Sequence, residues 1–94
     1  MPAQKEGKRP ADPEADERNR LNAAIGGHVL GALGKPGGLF GVQVRRLWGD
    51  RYRVNVLVGR DVASTTIAHS YFLVVDEAGN IETTLPPIRR QYDP

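Results

Sequence analysis

Phe40-Gly41-Val42-Gln43-Val44-Arg45-Arg46-Leu47-Trp48 and Tyr52-Arg53-Val54-Asn55-Val56-Leu57-Val58 are the two segments that decide the fold. Each alternates apolar and polar side chains with period two. That period marks strands with one face buried and the other in water. Gly49-Asp50 between them begins a turn, so the segments predict a hairpin over about Phe40 to Gly59. The even positions of both segments are its apolar set. The odd positions carry Gln43, Arg45, Leu47, Arg51, Arg53 and Asn55 on the wet face, and Arg46 falls on the other face near its end.

The register of this hairpin can be argued from the side chains. A two-residue turn sets Arg46 against Arg53 and mixes valines with Arg45 and Gln43. A three-residue loop, or a bulge, sets Trp48 against Tyr52, Val44 against Val56 and Val42 against Val58. Like charges opposite each other are unfavourable and aromatic pairs favourable, each by about 0.2–1 kcal/mol. A one-residue slip also turns a whole apolar set outward. The second pairing is therefore expected, with Trp48 stacked on Tyr52.

Upstream, Asp12-Pro13-Glu14 is a helix start: a capping carboxylate, proline at the first helical position and an acid in the first turn. Leu21, Ala24, Ile25, His28, Val29, Ala32 and Leu33 then recur on one face of an α-helix. Gly34 suits the position just past the end, and Pro36 prevents continuation. A helix over about Pro13 to Leu33 follows. Ala23, Gly27 and Gly31 form a strip of small residues on its far side. The strip is either a poorly optimised surface or a flat place for another chain to approach.

Downstream, Lys35-Pro36-Gly37-Gly38 is a loop and Arg60 to Ser64 a connection. A third strand is expected over about Thr66 to Val75. Tyr71-Phe72-Leu73-Val74-Val75 is apolar on both sides, the pattern of a central or doubly covered strand. Asp76-Glu77-Ala78-Gly79-Asn80 is a turn, and Ile81 to Leu85 a short fourth strand ended by Pro86-Pro87. The last residues are expected to pack through Ile88 and Tyr92. The fold class is α+β: one helix laid on a four-stranded antiparallel meander, in two layers.

The order resembles the small cystatin-like folds. Tyr52-Arg53-Val54-Asn55-Val56 together with Val75-Asp76-Glu77-Ala78-Gly79-Asn80-Ile81 is similar to PepSY-type domains, which carry a helix, a Tyr-x-Val-x-Val strand and a V-D-x-x-G-x-I hairpin. The resemblance covers roughly Leu21 to Leu85. It implies an inhibitory or regulatory domain, typically extracytoplasmic.

Composition narrows the classes of function. The chain has 94 residues, which is one domain. Residues 1–12 are polar, charged and proline-containing, and are expected to be a disordered tail ahead of a single domain over 13–94. With no cysteine, disulfides and cysteine-based zinc sites are excluded. No apolar run approaches the roughly 20 residues of a membrane span, and the N-terminus lacks a secretory apolar stretch. A cytoplasmic protein without membrane contact is the expectation. Net charge is only +2, so its distribution matters more than its size. Residues 1–34 balance five basic against five acidic side chains, and the excess lies in the sheet and C-terminus, all arginine except Lys35.

Few residues carry chemistry. His28 and His69 are the only histidines and have no metal-ligand spacing. If the helix crosses the third strand they could share a small cavity beside Tyr71, the one candidate ligand pocket. Ser70 lacks a nucleophile elbow. The acids around Asp76 form too short a loop for calcium, and no glycine-rich loop precedes a helix. No catalytic residue, metal or cofactor is expected. Arg45, Arg51, Arg53, Asn55 and Arg60, with Trp48 at the edge, make the candidate interaction face. A protein partner or a homodimer fits it better than nucleic acid, because no pair of aromatics is expected from the middle of the face.

Overall fold

A computed structural model describes residues 13–92. The tail expected over 1–12 and the Asp12 cap lie outside the described residues. The helix α1 spans Pro13–Leu33. The strands are β1 (Leu39–Trp48), β2 (Arg51–Val58), β3 (Thr66–Val75) and β4 (Ile81–Leu85), with a short 3-10 turn at Val62–Ser64. They form one antiparallel sheet in the order β1-β2-β3-β4. This is the expected α+β meander, and it is compatible with a cystatin-like fold. Among the described residues no helix is long and apolar enough to cross a membrane.

The helix buries Ile25, Val29 and Leu33, one residue per turn, against Tyr52, Val54 and Val56 of β2 and Tyr71, Leu73 and Val75 of β3. The buried stripe is rotated slightly from the expected one. His28 and Ala32 are exposed, whereas Gly26 is buried and Leu30 packs on the core. The cause is at Gly26. A Cβ there would sit 3.5 Å from the side chains of Val42 and Val44, so the helix lies close against β1 at this residue. On the other flank the β3–β4 turn comes up beside the same helical turn. A Cβ on Gly79 would lie 3.1 Å from Leu21 and 3.2 Å from Ala24, and Gly79 has φ +85. The helix is held between β1 and this turn at the level of Ile25.

The hairpin register differs from the expected one. Val42 pairs with Val56, Val44 with Val54, Arg45 with Arg53 and Arg46 with Tyr52. The turn is two residues, Gly49-Asp50, with Gly49 at φ +54, and Trp48 pairs with Arg51. Leu47 is then an extra residue on β1, a bulge that restores the valines to the inner face. The even set is inward in both registers, so alternation could not choose between them. The cross-strand penalty of about 0.2–1 kcal/mol for opposed arginines is too small to dictate the choice. Trp48 consequently turns to the outer face, away from Tyr52. Its ring lies 6.2 Å from that of Phe72, tilted by 45°.

Strand β3 is central but covered on one side only. Its outer residues Phe72 and Val74 are half-buried on the open face. The chain beyond β4 returns to the helix end, where Gln91 and Tyr92 both donate backbone N–H to the Leu33 carbonyl, at 2.8 and 3.2 Å. Arg90 donates to the Gly31 carbonyl at 3.0 Å. These bonds satisfy carbonyls that a helix C-terminus leaves without partners. Ile88 and Tyr92 pack on the core, as expected of the last residues.

Candidate functional site

The outer face is the surface that the helix does not cover, and it can be laid out strand by strand from the register. Gly41, Leu57 and Ile67 form one row, and Gln43, Asn55 and Ser70 the next. Then come Arg45, Arg53, Phe72 and Leu85, and finally Trp48, Arg51, Val74 and Thr83. The β1–β2 half is therefore mainly polar and basic, with Trp48 and Leu57 as its apolar members, and the β3–β4 half mainly apolar, with Ser70 and Thr83 as its polar ones. Trp48 is 58% exposed, Leu85 66% and Ile67 56%, a large apolar exposure for one face of a small domain.

The polar half is held by its own hydrogen bonds. Ser70 Oγ donates to Asn55 Oδ1 at 2.6 Å, and the Asn55 amide donates to Gln43 Oε1 at 3.3 Å. Arg53 donates to Ser70 Oγ at 3.4 Å, a long contact. Arg51 pairs with Asp50 at 2.8 Å, and its guanidinium lies 5.7 Å from the centre of the Trp48 ring. Gln43, Arg45, Arg46, Arg53 and Asn55 line a groove of about 530 Å³. Arg45, Arg51, Arg53, Asn55 and Trp48 thus share one face. Arg60 does not join them, because it lies in the β2–β3 connection, beyond the far end of β2. There its backbone N–H donates to Ser64 Oγ.

Sequence reasoning missed Phe72. Its place in an apolar run suggested burial on both sides, and only the register reveals that Phe72 emerges beside Trp48. Trp48 stays at the edge of the face, as expected, and Phe72 is the ring beside it.

The other candidates are dispersed. His28 Nδ1 lies 2.7 Å from the Gly79 carbonyl, which accepts, so Nδ1 carries the proton. His69 Nε2 is bonded to the Tyr92 hydroxyl at 2.8 Å, and its ring stacks on Tyr71 with centroids 6.2 Å apart. His28 therefore sits beyond the end of β3 and His69 toward its start, each engaged with a different partner. Burial, and secondarily Tyr92, push the Tyr71 hydroxyl above its ordinary pKa. Ala23, Gly27 and Gly31 are exposed on the far side of the helix, with open space around the two glycines.

A cleft of about 720 Å³ runs between the two hairpin turns and Leu21, and carries Asp50, Asp76, Glu77 and Glu82. Asp76 is occupied within its own turn. It accepts from the backbone of Asn80 at 2.8 Å, the Asn80 side chain at 3.1 Å and the backbone of Ala78 at 2.9 Å. The Asn80 bonds foremost hold its carboxyl below the usual aspartate value. Among the described residues no group of three or more His, Asp or Glu is placed to hold a metal ion.

Comparison with known protein families, curated proteins and solved structures gives no match.

Proposed function

We propose that the domain is a non-enzymatic binding module, that the outer sheet face is its working surface, and that its partner is a protein. The exposed Trp48 and Leu85, with the half-buried Phe72 between them, carry this reading. They lie opposite the helix, so the fold does not use them, and they border three arginines. Trp and Arg are the side chains that dominate binding energy at protein interfaces. The likeness to PepSY-type domains belongs to the same reading, since a regulatory or inhibitory domain acts by contact rather than turnover. Self-association and a second protein are the two versions of this reading.

Light scattering after size exclusion, with cross-linking in cells, tests the proposal. The wild type is expected to form a complex that Trp48→Ala and Leu85→Gln both abolish while melting at the wild-type temperature. A strict monomer at high concentration with no cross-linked partner removes the idea.

Nucleic acid is the second reading, favoured by the Trp48–Phe72 pair among Arg45, Arg51 and Arg53. Binding of a uridine oligomer that weakens steeply with salt is its signature.

A further inference from the structure

We infer that the protein partner is acidic, and that it presents a carboxylate to the paired guanidinium groups of Arg45 and Arg53. This inference rests on the outer face being the binding surface and names what must occupy it. Arg45 and Arg53 stand directly opposite each other across β1 and β2. Opposed like charges are unfavourable, and other residue types at either position would avoid them. Nothing within the fold offsets the pair: among the described residues neither guanidinium is in an ion pair. Arg53 makes only the 3.4 Å contact with Ser70 Oγ. Each guanidinium carries five N–H donors in a fixed fork, a geometry that matches a carboxylate held by two parallel bonds. One anion between the two would convert the repulsion into attraction. Gln43 and Asn55 complete the groove with amide groups.

The same layout argues against two other occupants. A second copy packed face to face brings further arginines against these. Bases stack on one open ring after another, and this face offers one exposed ring, Trp48 at the end of the hairpin, with Phe72 half-buried beside it. The side chains that continue the row from Arg53 are Phe72 and Leu85, which suit an apolar residue a few positions from the acid.

The test is selection of random dodecapeptides displayed on phage against the whole chain, followed by titration of the selected peptides. Trp48 is the only tryptophan, so its emission reports this face. The expected result is enrichment of Asp or Glu beside an aromatic or aliphatic residue, with a Trp48 shift on titration. Those peptides should lose affinity about tenfold or more for the Arg45→Gln/Arg53→Gln double variant. The double variant should melt no lower than the wild type, since it relieves a repulsion. Selected peptides without acidic enrichment, or binding both proteins equally, overturn the inference and leave a protein-binding face standing. No selected peptide and no Trp48 response overturns both. A uridine oligomer that shifts Trp48 and displaces the peptides overturns the acidic partner in favour of nucleic acid.

Discussion

Gly34 and Asp76 are the two positions where single atoms decide local structure. Gly34 ends the helix at φ +93 and donates its N–H to the Leu30 carbonyl at 2.8 Å. A Cβ there would overlap the Tyr92 backbone carbonyl. Gly34→Ala therefore meets both an unfavourable conformation and a clash with backbone, and the returning tail must detach. We expect a loss of about 2–4 kcal/mol in urea unfolding. Asp76 acts through charge. Its carboxyl is held below the ordinary value of 3.8 by hydrogen bonds, so it contributes stability above that pH. The contribution is lost as pH falls through the folded value. In paired acid titrations the advantage of wild type over Asp76→Ala should shrink steadily below pH 3.8. A gap that stays constant through this range would show that the carboxylate charge is irrelevant to the turn. Gly34 was legible as a helix stop from its position before Pro36. The second reason for glycine there was not, because the tail that crowds it is remote in sequence.

At the scale of elements, the helix carries three interior glycines with different environments. A Cβ on Gly27 or Gly31 meets nothing within 4 Å. Gly27→Ala and Gly31→Ala should each raise stability by about 0.5–1 kcal/mol through helix propensity alone. Thermal denaturation of the two variants checks this, and a loss of stability at either would reveal a contact on the far side of the helix. Gly26 is the exception, since its place against Val42 and Val44 fixes how the helix rides on β1. Sequence periodicity gave helix and strand boundaries closely, because apolar spacing is a local property. It did not give the register of β1 on β2, because two registers that keep the valines inward differ only in where the extra residue lies. That residue is Leu47, and its bulge sends Trp48 outward. The candidate site was legible in its arginines for the same local reason. The aromatic half was hidden until the strands were paired.

Over the whole molecule, the sheet divides into a face the fold needs and a face it does not. Leu73 is fully buried under the helix, while Leu85 is 66% exposed on the other side. Leu73→Ala should cost about 2–5 kcal/mol, and Leu85→Ala should fall within about 0.5 kcal/mol of wild type. Chemical denaturation of both variants measures the contrast. A large loss at Leu85 would mean that the outer face contributes to folding, and its apolar cluster would then need no partner to account for it.

The bonds from Gln91 and Tyr92 to Leu33 also set an order of events during synthesis. The helix is made before the sheet, but the groups that close its end follow all four strands. Until Tyr92 has cleared the exit tunnel, the helix can rest on the growing sheet without being fixed to it. The nascent domain should therefore remain open to protease until Tyr92 has emerged, and become resistant only then.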